Sequence, residues 1–352
     1  MPTRNDGADM EVKEFTYKAG DYSFSLLNRG CAITSICAPD RDGNIKNVTL
    51  PFTGAVENPD VILDVPMYYG LTVGRFANRI AGASFEIGGR KITFEKNDGP
   101  NLLHSGEKGL WSRIWNVKHM DDGFLCSIKV SEKDDGFPGD ADIRVRFSLS
   151  ADGVFRIHYS ASCSESCPMN LTNHTYFNLT GDDSNDILSH EVQFNSSRTL
   201  GVGAGLIPDG RIVDVTGTAW DFRQPKTIGK EIDRPELESA GGYDHCMIID
   251  RIGDASFGFT RFAKVYEPKT GRIMCAYTDL PAFHFYSGNF LNGGCGHDWR
   301  HGFCLETEFY PDCVNHPDFP SCIVNPGELF ESTTVYHFYT DAPGSDKSEV
   351  LG

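Results

Sequence analysis

Residues 173–181 (NHTYFNLTG) combine imidazole, phenol and amide side chains within a few positions of one another. If this stretch is a β-strand, His174, Tyr176 and Asn178 project from the same face. Aromatic rings can cover the C–H face of a ligand rich in hydroxyl groups, such as a sugar, while imidazole and amide groups bond the hydroxyls. A core histidine whose hydrogen bonds are satisfied explains the same residues, so this stretch alone leaves both interpretations open.

A second candidate group lies in residues 302–312 (GFCLETEFYPD), where Glu306 and Glu308 occupy alternate positions. On a strand the two carboxylates share a face, and the apolar residues just before them favour partial burial. Burial raises the pKa of a carboxyl group towards the range of a useful general base. A solvated acidic strand face is the alternative interpretation.

Polar residues in three turns could supply further ligand contacts. Asn78 and Arg79 follow an apolar run, His104 lies in a short loop, and Asp244 follows two glycines. Each residue also has a purely structural explanation: a surface arginine or a cap, a loop histidine, and an aspartate that bonds its own turn. Taken singly, none of these residues predicts a site.

Charge and composition exclude several classes of protein. The formal net charge is -17, with 49 acidic against 32 basic residues. Nucleic acids and anionic membranes require a basic face, so we expect neither as a partner, and a phosphorylated substrate is weakly disfavoured. The chain has no apolar run long enough to span a membrane.

The cysteines and the first residues indicate a compartment. Eleven cysteines occur without a Cys-x-x-Cys pair, so the spacing of a structural zinc site is missing. The first nine residues contain no apolar core of a signal peptide. Free thiols and no export signal together predict a cytoplasmic protein.

The elements that must position the candidate residues are predicted to be β-strands. Residues 143–149 alternate apolar and polar, as a half-buried strand does, and residues 154–159 form a further strand. Residues 85–94 predict a hairpin that turns at Gly88-Gly89. Residues 265–274 predict another hairpin, with a proline and a glycine in its turn.

Turn residues dominate the rest of the chain. The sequence has 37 glycines and 18 prolines, a density that suits many short strands. Residues 226–239 are a weak helix candidate, and Pro235 keeps that helix short. We therefore predict an all-β fold with few short helices, a large antiparallel β-sandwich in one domain over residues 11–341. Residues 1–10 and 342–352 are predicted to be disordered tails.

Several of these segments together resemble the aldose 1-epimerases, also called galactose mutarotases. The resemblance covers about residues 13–340, and its segments follow the order and spacing of that family. They are GRFANRI, NLLHSG, NHTYFNLTG, LIPDGRIVDVTGTAWDFRQPKTIG, GGYDHC, FYSGNFL, LETEFYPDCVNHPDFPS and VNPGE.

The resemblance implies a galactose mutarotase-like supersandwich with an open sugar cleft. It implies that Glu306 is the general base and that His174 is the general acid. The sugar ligands that it implies are Asn78, Arg79, His104, Tyr176 and Asp244.

Two positions depart from the family pattern. Position 284 is a histidine where the family usually has a glutamine that contacts the sugar, so His284 is a further candidate ligand. Position 308 is a glutamate where glutamine is common. A second carboxylate close to Glu306 would raise the pKa of Glu306 further.

The implied reaction interconverts the α and β anomers of a free hexose such as galactose or glucose. Glu306 takes a proton from the anomeric hydroxyl, protonated His174 gives one to the ring oxygen, and the ring opens, rotates about C1–C2 and recloses. Because the chemistry is proton transfer alone, we expect no metal and no cofactor. We expect a monomer or a weak homodimer.

Three rival functions remain open from the sequence. A hexose-6-phosphate epimerase would need extra basic residues in the cleft, and a non-catalytic sugar-binding protein would need the cleft but not the pair Glu306 and His174. A glycoside hydrolase would use paired carboxylates, for which Glu306 and Asp244 are candidates.

Overall fold

The computed structural model describes residues 11–50, 67–253, 255–291 and 296–342. Residues 1–10 and 343–352, which make up all but Ala342 of the two predicted tails, lie outside the described residues. The strands are numbered below in chain order.

Nine strands form the largest sheet, in which every neighbouring pair is antiparallel. In spatial order they are β10 (Asn116–Met120), β11 (Gly123–Val130), β12 (Ala141–Leu149), β13 (Val154–Cys163), β26 (Phe330–Thr340), β22 (Arg272–Thr278), β21 (Thr260–Glu267), β16 (Glu191–Phe194) and β19 (Lys226–Thr227).

Two smaller antiparallel sheets accompany it. One contains β1 (Glu14–Ala19), β2 (Tyr22–Leu27), β3 (Ile33–Pro39) and β4 (Ile45–Asn47). The other contains, in spatial order, β18 (Pro208–Asp214), β17 (Arg198–Val202), β20 (Asp244–Ile248), β23 (Ala282–Tyr286) and β24 (Cys304–Glu308). Short two-stranded ribbons pair β5 (Thr72–Val73) with β15 (Thr172–Asn173), β6 (Arg79–Ile80) with β9 (Leu102–Leu103), β7 (Ser84–Ile87) with β8 (Arg90–Thr93), and β14 (Cys167–Pro168) with β25 (Ile323–Val324).

Helices are short throughout the described ranges. The α-helix found there, α1, is Glu132–Asp135. Short 3₁₀-helices occupy Ala81–Ala83, Leu110–Ser112, Ala204–Leu206, Ile228–Lys230, Pro235–Ala240, Ser256–Gly258 and Cys313–Asn315. None of these helices has the length or the apolar character to cross a membrane.

The helix predicted over residues 226–239 is wrong. The segment begins as strand β19 and continues as two separate 3₁₀ turns. Arg234, which precedes Pro235, has an extended backbone with φ -67° and ψ 146°. A proline ring disfavours helical geometry in the residue before it, and this breaks the segment between its two turns.

The predicted strands and hairpins are confirmed. Strand β12 alternates buried Ile143, Val145 and Phe147 with exposed arginines. The hairpin of β7 and β8 turns at Gly88 and Gly89, which have φ angles of 59° and 75° and so need glycine. The hairpin of β21 and β22 closes at Glu267↔Arg272, around the predicted turn.

The core lies on one face of the nine-stranded sheet. Phe24 of β2 packs on Phe155 of β13, with ring centroids 4.9 Å apart, so the four-stranded sheet covers one half. Phe283 of β23 packs on Phe194 of β16 at the same distance, 4.9 Å, so the five-stranded sheet covers the other half. The two halves share one face because the cross-strand pairs continue from Phe155 through the sheet to Phe194. The predicted antiparallel β-sandwich is confirmed.

The five-stranded sheet has two chemically different faces. Phe283, Phe285 and Leu305 point into the core, where each is at most 1% exposed. Successive side chains of a strand alternate between faces, so His284 and Glu306 point the opposite way. The same strands are therefore anchored by apolar residues on one side and carry polar groups on the other.

Candidate active site

Ionisable side chains form a compact group on the outer face of the five-stranded sheet. His284 of β23 lies directly opposite Glu306 of β24, and Asp244 begins the adjacent strand β20. Glu308 follows two residues after Glu306 and shares its face, as the sequence predicted. Burial is more complete than predicted, because Glu306 is 2% exposed and Glu308 is 0% exposed.

Asp244, His284 and Glu306 form the floor of a pocket of about 420 Å³, within the range of small-molecule sites. All eight site residues predicted from the sequence line it, although they come from six separate parts of the chain. The lining consists of Met67, Tyr68, Asn78, Arg79, Asp98, Leu103, His104, His174, Tyr176, Gly205, Leu206, Ser239, Asp244, His284, Tyr286, Phe290 and Glu306. Glu308 lies behind His284 and does not line the pocket.

His174 is positioned by its backbone rather than by a regular strand. Strand β15 ends at Asn173, so residues 173–181 are not the continuous strand on which a shared face would depend. The His174 amide donates to the carbonyl of Leu71, and the His174 carbonyl accepts from Gly70. These two bonds to a neighbouring segment take the place of a continued ladder.

The departure from a strand separates side chains that were expected to share a face. Tyr176 lines the pocket and its hydroxyl donates to the carbonyl of Met67 at 3.0 Å. Asn178 instead donates to the carbonyls of Asn185 and His301, both at 2.8 Å, and takes no part in the pocket. Alternation predicts a shared face only where the backbone stays extended.

Asn78 and His104 hold each other in place at one wall of the pocket. Both have left-handed backbones, with φ angles of 65° and 51°. The backbone N–H of Asn78 donates to Nδ1 of His104 at 3.1 Å, and the backbone N–H of His104 donates to the backbone carbonyl of Asn78 at 3.1 Å. Since Nδ1 of His104 accepts a bond, the proton of the neutral ring is on Nε2.

Arg79 contributes a positive charge to the same wall. Its Nε donates to Asp98 at 2.8 Å, and its side chain is 13% exposed. Burial disfavours the guanidinium charge, but the nearby carboxylates of Asp244 and Asp98 raise the pKa of Arg79 above its usual value. The arginine is therefore a fixed cation at the edge of the pocket.

His174 and Glu306 face each other without a hydrogen bond. Nε2 of His174 lies 3.6 Å from Oε1 of Glu306, and both side chains are buried. The other oxygen of Glu306, Oε2, bonds no group within the described part of the chain. Nδ1 of His174 lies 3.5 Å from Sγ of Cys304. Both groups are thus available to a ligand that enters between them.

Burial shifts the proton affinities of this pair in opposite directions. It raises the pKa of Glu306 well above its ordinary value, and it lowers the pKa of His174 to about 4. The pKa of Glu306 therefore lies above that of His174, so a proton shared by the two groups favours Glu306, and the cause is desolvation of both side chains. This differs from the expectation that His174 carries the proton.

A second ionisable cluster, the Asp244–His284–Glu308 cluster, is tightly bonded. Nε2 of His284 lies 2.6 Å from Oδ1 of Asp244, and Nδ1 lies 3.3 Å from Oε1 of Glu308. Asn78 adds a donor, because its Nδ2 lies 3.3 Å from the same Glu308 oxygen. His284 therefore stands between two buried carboxyl groups.

The bonds of this cluster fix its charges. Burial lowers the pKa of His284, but its bonds to Asp244 and Glu308 outweigh burial and raise that pKa to about 10. Burial likewise raises the pKa of Asp244, but the bond from His284 outweighs it and lowers the pKa to about 2. His284 is accordingly a cation and Asp244 an anion across the physiological range.

Three of the lining residues could also hold a metal ion. The ligand atoms of His104, His174 and Glu306 all lie within 4.8 Å of one another, and all three residues are buried. Two imidazoles and a carboxylate are a donor set that zinc accepts. The resemblance predicted that these three residues share a cleft, but the sequence predicted no metal site, because the three lie far apart along the chain.

Several lining residues were missed by the sequence interpretation: Tyr68, Asp98, Leu206, Tyr286 and Phe290. Tyr286 follows His284 by two positions, so the period of a strand could have identified it. Asp98 lies in a turn, and nothing in its neighbours indicates that it pairs with Arg79.

Comparison with known proteins finds one family. The family model described as aldose 1-epimerase matches residues 13–337. A galactose mutarotase of Bos taurus is 35% identical over 333 residues, which cover 93% of this chain and 94% of the relative. An aldose 1-epimerase of Escherichia coli K12 is 34% identical over 327 residues, covering 90% and 92%.

Solved structures agree in fold. A GalM/aldose epimerase homologue from C. elegans matches with a TM-score of 0.84 and 27% identity, covering 94% of this chain and 99% of that one. A galactose 1-epimerase from Lactobacillus acidophilus matches with a TM-score of 0.80 and 23% identity, covering 96% and 98%.

Proposed function

Because this chain belongs to the aldose 1-epimerase family, we propose that its pocket binds a free hexose, such as galactose or glucose, and interconverts the α and β anomers. Membership makes the chain an isomerase that acts on carbohydrates. The observation that carries the proposal is the unbonded pair at the pocket floor, in which His174 and Glu306 face each other across 3.6 Å. An acid and a base of this kind are what ring opening needs.

The pair carries one proton through the whole cycle. Sugar hydroxyls that bond the unpartnered Oε2 of Glu306 stabilise its anion, so the proton moves to His174 as the substrate enters. Glu306 then accepts the proton of the anomeric hydroxyl while His174 donates one to the ring oxygen, and the C1–O5 bond breaks. After rotation about C1–C2, each group reverses its step, the ring closes and the pair returns to its starting state.

The remaining groups hold the sugar while C1 rotates. Arg79 and Nε2 of His104 are donors on one wall, and Asp244 is an acceptor on the floor. Tyr176 and its neighbours offer aromatic surface to the C–H face of the ring. Holding the rest of the substrate fixed turns ring opening and closure into a local event, which is catalysis by positioning.

The rival functions fit this pocket less well. A 6-phosphate requires additional cations, and among the described lining residues Arg79 is the only lysine or arginine, already bonded to Asp98. A glycoside hydrolase needs a second carboxyl that acts as a base or a nucleophile, whereas Oδ1 of Asp244 is held by His284 at 2.6 Å. A non-catalytic binding protein does not need an acid and a base that face each other, as His174 and Glu306 do across 3.6 Å.

Polarimetry tests the proposal directly. Freshly dissolved α-galactose and α-glucose are followed to equilibrium with and without the protein, alongside their 6-phosphates and an aryl glycoside. We expect faster mutarotation of the free hexoses only. Unchanged mutarotation of every free hexose would contradict the proposal, and turnover of the phosphates or release of the aryl group would favour a rival.

We further propose that the protein works in the cytoplasm as a monomer or weak homodimer, without a metal or cofactor. The ten cysteines within the described ranges are all free thiols, which suits a reducing compartment. Cell fractionation tests the compartment, and sedimentation analysis tests the oligomeric state.

A further inference from the structure

The two departures from the family pattern lie side by side in the fold. His284 is on β23 and Glu308 is on the neighbouring strand β24, offset by one cross-strand step. Their side chains meet, with Nδ1 of His284 3.3 Å from Oε1 of Glu308. Nothing in a single sequence ties these positions together, yet the structure makes them direct partners.

Glu308 cannot act on a substrate itself. It does not line the pocket, it is 0% exposed, and its Oε1 is directed to His284 and Asn78. Its other oxygen, Oε2, bonds no group within the described ranges. A buried carboxylate costs free energy unless a cation is beside it, and His284 is the group placed to provide that charge.

We propose that Glu308 is a positioning residue that keeps His284 doubly protonated, so that His284 acts as a permanent cation and holds Asp244 as a charged acceptor for the sugar. This inference rests on the proposed function.

Each ring nitrogen of His284 has a carboxyl oxygen near it. Nε2 lies 2.6 Å from Oδ1 of Asp244, and Nδ1 lies 3.3 Å from Oε1 of Glu308. Nδ2 of Asn78 lies 3.1 Å from Nδ1 of His284 and 3.3 Å from the same Glu308 oxygen. In the proposed state Nδ1–H of His284 and Nδ2 of Asn78 both donate to Glu308, whereas in a neutral ring Nδ1 would accept from Asn78.

His284 is surrounded by other ionisable groups. The ionisable groups that face it from β20, β24 and the surrounding walls are Asp244, His245, Glu306, Glu308, Arg79, His104 and His174. A positive His284 lowers the pKa of Glu306, whereas a negative Glu308 raises it. When His284 and Glu308 are both charged, their opposite effects on the pKa of Glu306, the proposed catalytic base, offset each other.

The first arm of the test reads the ring protons without any sugar. Protein labelled with ¹⁵N-histidine is recorded by NMR, and the His284 signals are assigned by their loss in His284→Gln. We expect both ring nitrogens of His284 to be protonated at neutral pH, and the ring to lose its second proton at a lower pH in Glu308→Gln than in the native protein. A neutral His284 ring in the native protein would overturn the inference, whatever the protein's activity.

The second arm measures KM for the free hexose as a function of pH. We expect a flat KM between about pH 6 and about pH 9 in the native protein, because His284 keeps its charge. In Glu308→Gln, KM should rise roughly tenfold as His284 loses its proton, the scale of a weakened charged hydrogen bond. The maximal kcat should change less than KM, because Glu308 does not touch the reacting atoms.

Two variants separate this role from a merely structural one. The double variant His284→Gln/Glu308→Gln should recover a flat KM, because it removes both charges together. Glu331→Gln is a matched control, since it removes a carboxylate 3.5 Å from a histidine on the exposed surface, and KM should stay flat. A Glu308→Gln profile as flat as the native one would overturn the inference, whereas loss of mutarotation in the native protein would contradict the proposed function instead.

Discussion

The pocket contains two groups of ionisable side chains that differ in whether their members touch. His174 and Glu306 stay 3.6 Å apart, and an oxygen of Glu306 has no partner among the described residues. His284 and Asp244 approach to 2.6 Å. We call His174 and Glu306 the open pair, and the Asp244–His284–Glu308 cluster the bonded cluster. Strand β24 supplies a glutamate to each group, Glu306 to the open pair and Glu308 to the bonded cluster.

The comparison shows how one strand can carry two chemically different glutamates. Hydrogen bonds to a charged form hold that form. Glu308, whose Oε1 is bonded although its Oε2 has no partner within the described ranges, therefore resists a change in protonation more than Glu306 does. A group that must gain and lose a proton in each cycle is better left without a partner until the substrate supplies one. Spacing alone cannot distinguish the two, because each glutamate is buried on the same face.

The largest expected effect comes from breaking the open pair. Glu306→Gln and His174→Asn should each lower kcat by roughly 10²-fold or more, the usual scale for a positioned acid or base. The double variant should be little worse than the poorer single variant, because both groups serve one cycle. Stopped-flow polarimetry measures each rate. If Glu308→Gln were inactive while Glu306→Gln kept its activity, the catalytic base would be Glu308 and not Glu306.

The residual activities of these variants should respond to pH in opposite senses. Glu306→Gln keeps only the acid, so its rate should fall as pH rises through the low pKa of His174, about 4 in the native site. His174→Asn keeps only the base, so its rate should rise with pH through the raised pKa of Glu306. The native profile should be a bell set by the pair as a whole. If the rate of Glu306→Gln rose with pH and that of His174→Asn fell, Glu306 would be the acid and His174 the base.

Breaking the bonded cluster should affect binding more than chemistry. Asp244→Asn removes the acceptor for His284 and for the sugar, and we expect KM to rise roughly 10- to 100-fold, the cost of a lost charged hydrogen bond. The change in kcat should be smaller. Initial rates over a range of galactose concentrations separate KM from kcat. A loss confined to kcat would show that Asp244 takes part in proton transfer with His174 and Glu306.

A smaller effect should appear in stability when the cation alone is removed. His284→Gln leaves Glu308 buried beside no positive partner, which should lower the free energy of unfolding by about 1–3 kcal/mol. Burial raises the folded-state pKa of Glu308, so the loss should be absent at low pH and grow as pH rises above the unfolded value. Thermal unfolding at several pH values measures it, and adding Glu308→Gln should restore stability.

No change is expected from metal removal. Although His104, His174 and Glu306 could hold an ion, the proposed cycle moves only protons. Overnight treatment with EDTA should leave the mutarotation rate unaltered. Activity that disappears and returns on addition of a divalent ion would assign the open pair to metal chemistry.

Local patterns predicted the elements that depend on neighbours in sequence. Glycines at the turn and alternating residues marked the hairpin of β7 and β8, and alternation placed Glu306 and Glu308 on one face. Alternation failed beyond Asn173, because bonds from His174 to Gly70 and Leu71 replace the ladder there. Such bonds depend on a segment about 100 positions away, which no local pattern contains.

The grouping of the site residues could be expected only from the resemblance to a family. Arg79, Asp244 and Glu306 come from distant parts of the chain, and the sheet order that gathers them is set by the whole fold. The contact between His284 and Glu308 was also beyond the sequence. It depends on the register of β23 against β24, which a one-residue shift would destroy.

The contrast between the two faces of the five-stranded sheet has a consequence for engineering the range of sugars. The floor residues His284 and Glu306 alternate with Phe283 and Leu305, which are locked in the core, so libraries at the floor would disturb folding. Leu206, Ser239 and Phe290 line the rim from turns outside the strands. Variants randomised at this rim should accept sugars with other hydroxyl patterns or longer saccharides, while His174 and Glu306 remain in place for proton transfer.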